Sequence, residues 1–283
     1  MAKPVIAVIA PGAMGSAVGA RLVEGGCDVV TSLKDRSEAS AARATRAGMR
    51  PVTDSEIARA AIILSIVPPS DALALAGRLA PKLRAASPKP LYIDCNAVSS
   101  ATAKSVAELI AATGCPFADG GIIGGPPKAG YDGPSIYVSG IPGSATDAVA
   151  QLARSGLRIR PLDGPVGAAS ALKMSYAAIT KGLTGIASAS ILAASRHGAA
   201  DALYAELSAS QKAILPAITR SVPDMFDKAY RFVGEMEEIG AHSERASTAM
   251  IYRGMAQLYQ ELADDLEADK HDIGALEAFF RPR

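Results

Sequence analysis

Lys3-Pro4-Val5-Ile6-Ala7-Val8-Ile9-Ala10-Pro11-Gly12-Ala13-Met14-Gly15-Ser16-Ala17-Val18-Gly19-Ala20-Arg21-Leu22 is the stretch that decides how the chain is read. The apolar run over residues 5–10 reads as a strand buried on both faces, as in a parallel sheet, and it breaks at Pro11-Gly12 into an alanine-rich helix. A strand, a tight small-residue turn and a helix N-terminus form the unit with which a Rossmann-type fold seats a dinucleotide, because free amides and the positive dipole end face the pyrophosphate. Gly12, Ala13, Met14 and Gly15 are the expected cofactor contacts: Gly12 lets backbone approach phosphate and Gly15 lets helix approach strand. The first position of Gly-x-Gly-x-x-Gly is Ala10 here, and an ordinary turn of another α/β protein is the competing reading.

Outward from this unit the same grammar repeats. Asp28-Val29-Val30-Thr31-Ser32-Leu33 reads as a second strand, followed by Lys34-Asp35-Arg36-Ser37 and a helix over 38–47. The end of this strand selects the cofactor: Asp35 suits the ribose hydroxyls of NAD, whereas Lys34, Arg36 and Ser37 at a helix start suit the phosphate of NADP. The balance favours NADP and leaves NAD open; Ser37 also reads as a plain N-cap. A short strand over 49–52, a helix over 54–60 and the apolar strand Ile62-Ile63-Leu64-Ser65-Ile66-Val67 follow, the last stopping at Pro68-Pro69. Ligands of open parallel sheets bind outside the carboxyl ends of strands, so Val67 and Pro68 are placed against the cofactor. Leu91-Tyr92-Ile93-Asp94-Cys95 is a further strand, and it delivers Asn96 to the same edge as a cofactor contact or a turn residue. The glycines of Gly120-Gly121-Ile122-Ile123-Gly124-Gly125 read as a loop that needs positive φ or close approach to a ligand. Strands over 135–139 and 157–162, with a helix over 145–154 between them, complete this half.

At Asp163-Gly164-Pro165-Val166-Gly167 strand patterns stop, and helical periodicity runs over 168–196, 200–220, 229–239, 243–266 and 273–280. The expected architecture is an α/β Rossmann-type domain over 1–163 followed by an all-α domain over 164–283.

Composition narrows the partners. The net charge of +1 with scattered Lys and Arg offers no footprint for nucleic acid or an anionic membrane. The three cysteines, Cys27, Cys95 and Cys115, lack metal-ligand spacing and read as buried reduced thiols, and no metal is expected. No leader pattern opens the chain, and no segment has about 18 uninterrupted apolar residues, since 177–194 contains Lys181. A cytoplasmic protein without a membrane partner is the expectation.

On the helix over 168–196, Lys173, Tyr176, Ala177 and Thr180 share a stripe whose other members are small or hydroxylic. A lysine against an apolar, partly dry face acts as a general acid or base near neutrality; one that snorkels to water does not.

These motifs together resemble the β-hydroxyacid dehydrogenase superfamily, which includes 3-hydroxyisobutyrate and 6-phosphogluconate dehydrogenases. The closest resemblance is to the uncharacterised phosphogluconate dehydrogenase-like branch with a distinct helical C-terminal domain. The matching segments, in order, are Ala10-Pro11-Gly12-Ala13-Met14-Gly15, Ile66-Val67-Pro68, Asp94-Cys95-Asn96-Ala97-Val98-Ser99, Phe117-Ala118-Asp119 through Gly125, and Gly167 through Lys173. The resemblance implies hydride transfer between a nicotinamide and the carbinol carbon of a hydroxy acid, with Lys173 relaying the proton, and a homodimer packed through the C-terminal helices. It also implies Ile123 and Gly124 at the substrate carboxylate, where the family's Ser is replaced by Ile123. The family's Asn one turn after the lysine is Ala177 here, so Tyr176 and Thr180 are the candidate replacement anchors. An imine reductase, whose family usually lacks the lysine, and a non-catalytic NADP-binding redox sensor are the alternatives.

Overall fold

The computed structural model describes residues 3–281 apart from Ala129, Asp132 and Glu244. It divides into two compact units, Met1–Lys173 and Met174–Arg283.

The first unit holds an eight-stranded sheet among its described residues. Its strands are β1 (Val5–Ile9), β2 (Asp28–Thr31), β3 (Arg50–Pro51), β4 (Ile62–Ser65), β5 (Leu91–Asp94), β6 (Phe117–Ile123), β7 (Ser135–Ser139) and β8 (Arg158–Pro161). Their order is β3-β2-β1-β4-β5-β6-β7-β8, and every neighbouring pair is parallel except β6 with β7. The order reverses direction between β1 and β4, which is the switch point where such sheets bind ligands. The expected Rossmann-type fold is therefore present.

Helices cover both faces, which is why the strands are apolar throughout rather than alternating. Ile6, Val8, Leu64 and Ile93 pack on one side with Val18 and Leu22 of α1 (Ala13–Glu24) and Ala44 of α2 (Glu38–Arg46). Ala7, Ile9, Ile63 and Tyr92 pack on the other with Ile57 of α3 (Asp54–Ile57), Leu75 and Leu79 of α4 (Ala72–Ala85), and Val106 and Ile110 of α5 (Ser100–Ala111). Thr53 opens α3 with a reciprocal capping box to Glu56. Val149 and Leu152 of α6 (Thr146–Arg154) join the first of these cores.

The glycine run departs from expectation. Gly120 and Gly121 lie inside β6, and neither has positive φ; only Gly124, just beyond the strand, does, at 123°. Their small size serves packing: a Cβ on Gly120 would sit 2.8 Å from the Cys95 Sγ.

The division into units falls inside α7 (Ala168–Arg196) rather than at the change of sequence pattern at Gly164. The second unit continues with α8 (Ala200–Ser210), α9 (Ile214–Met225), α10 (Ala229–His242), α11 (Ala246–Glu267) and α12 (His271–Phe279). The helix expected over 200–220 is broken at residues 211–213. Pro216 explains the break: within a continuous helix its ring would clash with the carbonyl of Lys212, whereas in the first turn of α9 it is tolerated. Leu215, Ile218, Val222, Met236, Tyr259 and Leu262 build this unit's interior. Within it Lys181 pairs with Glu235 at 2.5 Å and lies over the Phe232 ring, while the Tyr259 hydroxyl donates to the Lys181 carbonyl. Among the described residues α7 is the one helix long and apolar enough to cross a bilayer, and half of its most apolar window is buried.

Candidate cofactor site and catalytic lysine

β1 ends at Ile9, and the chain turns through Pro11 and Gly12 into α1. Gly12 is the N-cap in extended conformation, its carbonyl accepting from the Ser16 hydroxyl at 2.7 Å. No acidic residue lies in the first turn of α1, so the opening amides and the dipole end are left for an anion. A Cβ at Gly12 would meet nothing within 4 Å, whereas one at Gly15 would sit 2.0 Å from the Ala10 carbonyl oxygen. The turn thus offers open space over Gly12 and close helix-to-strand packing at Gly15, the two conditions a dinucleotide pyrophosphate sets.

At the end of β2, Asp35 adopts a left-handed φ of 58°, and Ser37 caps α2 by accepting from the Ser40 amide. Lys34, Asp35 and Arg36 line a cleft of about 160 Å³ together with Asp71, Leu75 and Arg78. Both acids and all three cations border it, so the cleft carries the mixed cue read from the sequence. Arg78 from α4 was not anticipated; it is held by Asp54 at 3.7 Å, and Asp54 accepts from the Ser32 hydroxyl. Arg43 was also missed: its Nε donates to the Pro11 carbonyl at 2.9 Å and ties α2 to the dinucleotide turn.

Asn96 is 2 % exposed and faces inward. Its Oδ1 accepts from the Val67 amide at 2.7 Å, and its Nδ2 donates to Ser65 Oγ and to Asp94 Oδ1. It acts as a strut that shapes the Val67-Pro68 turn.

A row of buried polar side chains crosses the strand ends, because Ser65 pairs in register with Asp94, Asp94 with Asp119, and Asp119 with Ser139. Asp94 Oδ1 accepts from the backbone and side chain of Asn96, but its Oδ2 has no hydrogen-bond partner among the described residues. Burial raises its pKa to about 7, against the opposing Asn96 amide and with a further push from the Asp119 charge. Burial, reinforced by Asp94 and Asp119, raises the Cys95 thiol well above its usual range.

Asp119 has the opposite environment. Its Oδ2 accepts from the Gly167 amide at 3.0 Å, the Ser170 amide at 2.9 Å and the Ser139 hydroxyl, while Oδ1 accepts from the Ser170 hydroxyl at 2.6 Å. Ser139 Oγ in turn accepts from the Ala169 amide. The first amides of α7, which a helix cannot satisfy internally, are therefore capped by side chains of β6 and β7. Lys173 follows one turn later. A Cβ on Gly121 would lie 2.6 Å from the Ala169 carbonyl and 3.3 Å from the Lys173 Cβ, so glycine is needed where α7 crosses β6. Ile123 shares the Gly121 face by strand alternation. A side chain at Gly124 would meet the Tyr131 hydroxyl at 2.7 Å.

The structure separates the stripe read on α7. Ala177 is buried, but Tyr176 is 49 % exposed and Thr180 is exposed, its hydroxyl donating to the Tyr176 carbonyl. Tyr176 lies instead in an exposed apolar row with Ile179, Leu183 and Ile186.

Residues 5–160 match the model of the NAD binding domain of 6-phosphogluconate dehydrogenase, and residues 194–262 match a domain family of unknown function, DUF1932. No match was found among curated proteins. Among solved structures, the chain resembles Mycobacterium tuberculosis 3-hydroxyisobutyrate dehydrogenase with L-serine at 19 % identity and a TM-score of 0.71, covering 99 % of this chain and 100 % of that one. It resembles the conserved protein MTH1747, of unknown function and described as similar to 3-hydroxyacid dehydrogenases, at 24 % identity and a TM-score of 0.71, covering 92 % and 97 %. An imine reductase from Myxococcus stipitatus in complex with NADP+ aligns at 18 % identity and a TM-score of 0.55, covering 99 % and 100 %.

Proposed function

Because the chain belongs to the family defined by the NAD-binding domain of 6-phosphogluconate dehydrogenase, within the β-hydroxyacid dehydrogenase superfamily, we propose that it is an NADP-dependent oxidoreductase acting on a small hydroxy acid, aldehyde or ketone. The observation that carries this reading is the seating of Lys173: its turn of helix is bolted to β6 through Asp119 and crosses that strand over Gly121.

The first amides of α1 and the space over Gly12 would hold the pyrophosphate, with Val67 and Pro68 beside the nicotinamide half and Lys34, Arg36 and Ser37 at the adenosine end. When bound, the nicotinamide supplies or accepts the hydride. Lys173 holds the proton at Nζ: the ammonium donates to the carbonyl oxygen during reduction, and the free amine accepts the hydroxyl proton during oxidation. Ile123 in place of a hydroxyl donor supports a substrate held less by its carboxylate than by apolar contact, with Gly124 beside it. Tyr176 and Thr180 are exposed and serve the substrate only if it reaches that part of α7.

The exposed row Tyr176, Ile179, Leu183 and Ile186 supports a homodimer packed through the helical unit, and the three free buried thiols suit a reducing, cytoplasmic compartment. The reading is tested by following absorbance at the reduced nicotinamide with a panel of small aldehydes, ketones and 2-oxo acids, beside separate titrations with NADPH and NADH. Turnover of a carbonyl with NADPH supports it; tight binding with no turnover supports the sensor instead. For the phosphate assignment, Arg36→Ala is expected to weaken NADPH about tenfold and leave NADH unchanged, which corresponds to about 1.4 kcal/mol. Equal NADPH affinity in that variant removes Arg36 from the phosphate site.

A further inference from the structure

We propose that Asp119 is the positioning residue for Lys173, holding the first turn of α7 on β6 so that the lysine has one fixed place; this deepens, and rests on, the reading of Lys173 as the proton-transfer group.

The helix end sets the constraint. Among the opening residues of α7, the amide of Ala168 finds the Pro165 carbonyl, and that of Ala171 finds the Gly167 carbonyl. The amides of Gly167, Ala169 and Ser170 are taken up instead by Asp119 and Ser139 from the sheet. An ordinary helix is capped by the residue immediately before it in sequence, which ties its end to no other element. Here the cap comes from two strands, so the helix end and the sheet are one piece. The Asp119 carboxylate accepts from the Gly167 and Ser170 amides and the Ser139 hydroxyl at Oδ2, and from the Ser170 hydroxyl at Oδ1. An asparagine in its place keeps one acceptor oxygen and turns an NH2 group on the remaining donors, so the isosteric variant breaks the bolt without changing volume.

Three further contacts fix the direction. Gly167, at φ 98°, turns the chain into the helix, and its carbonyl accepts from the Ser100 hydroxyl of α5 at 2.8 Å. Ser170 stands one turn before Lys173 on the same helix face, so its two bonds to Asp119 act on the stripe that carries the lysine. Gly121, two residues beyond Asp119 on the same strand face, lets the Lys173 Cβ come to 3.3 Å from where a side chain would begin, closer than ordinary van der Waals contact. The acid, the hydroxyl and the missing side chain thus fix where the backbone and Cβ of Lys173 sit on β6.

The test uses the full chain and needs no substrate. Asp119→Asn and Ser170→Ala are compared with the wild type by amide hydrogen exchange of peptides covering 166–175, and by the rate at which trinitrobenzenesulfonate labels Lys173 as a function of pH, read by mass spectrometry. Exchange across the first turn of α7 is expected to rise at least tenfold in Asp119→Asn and less in Ser170→Ala, and the Lys173 labelling profile is expected to shift, while peptides of β1 and α1 and the labelling of Lys181 stay unchanged. A merely structural role would move all of these together. If Asp119→Asn does not fold, Ser170→Ala carries the comparison. Unchanged exchange and unchanged Lys173 labelling in the folded variants overturn the proposal. A normal turnover rate in Lys173→Ala overturns the functional reading instead and leaves this measurement standing.

Discussion

Replacing Asp94 by asparagine removes a carboxyl that titrates at a higher pH in the folded protein than in the unfolded chain. Folding raises the carboxyl from the ordinary 3.8 to about 7, chiefly by burial. Between those values the native state keeps a proton that the unfolded state has released, so stability falls as pH rises through this window and levels off above about 7. A shift of about three units corresponds to about 4 kcal/mol across the whole window, and to about 3 kcal/mol between pH 5 and pH 8. The asparagine side chain has the same shape and retains an oxygen for the two Asn96 donors, whereas its NH2 inherits the place of the unpartnered Oδ2. That last change costs the same at every pH, and the Asp119 charge is present in both proteins, so the pH dependence of the difference isolates Asp94. Urea unfolding followed by circular dichroism, run on both proteins at pH 5, 6, 7 and 8, is expected to show Asp94→Asn gaining about 3 kcal/mol relative to wild type from the lowest to the highest pH. A difference that stays constant over this range would falsify the assignment of a buried, proton-holding acid at this position.

Gly15→Ala places a Cβ 2.0 Å from the Ala10 carbonyl oxygen, so α1 must move away from β1. A loss of NADPH affinity of about thirtyfold, or roughly 2 kcal/mol, is expected in a fluorescence titration, and an unaltered affinity would show that the turn does not seat the cofactor. In the helical unit, Glu235→Ala leaves the Lys181 ammonium, only 16 % exposed, without its carboxylate. Destabilisation of about 2 kcal/mol is expected from thermal melts at pH 7, with the loss vanishing when Lys181→Met is added to the same chain. Melts in which the two substitutions simply add would show that the pair is not coupled.

The order of strands and helices was legible because each strand is a short apolar run closed by proline, glycine or a polar residue, and the strand runs stop at one place, residues 163–167. The dinucleotide turn was legible for the same reason: its glycines act on neighbours in sequence. Asp94 and Asp119 were harder to read. Asp94 is a single acid at the end of an apolar strand and Asp119 one inside another, and what each does depends on Asn96 in the first case and on α7, about fifty residues away, in the second. An acid in a strand that is otherwise buried on both faces was the available signal, since such a group must find donors. Arg43 and Arg78 were hidden because only the return of α2 and α4 to the strand ends brings them to the turn and the cleft. The break between α8 and α9 was written in Pro216, but the helix-favouring Ala, Leu and Glu residues before it masked it. Tyr176 and Thr180 fell to exposure because a stripe 100° wide holds two rows, and burial favoured the one with Ala177.

If Lys173 moves the proton while other residues hold the cofactor, Lys173→Ala must separate rate from binding. The most direct test compares that variant with wild type in both respects: kcat for the best carbonyl of the panel, and the dissociation constant for NADPH. A fall in kcat of about a hundredfold or more is expected, with NADPH binding within about twofold of wild type. Wild-type kcat in the variant, or loss of cofactor binding in step with loss of rate, would contradict it.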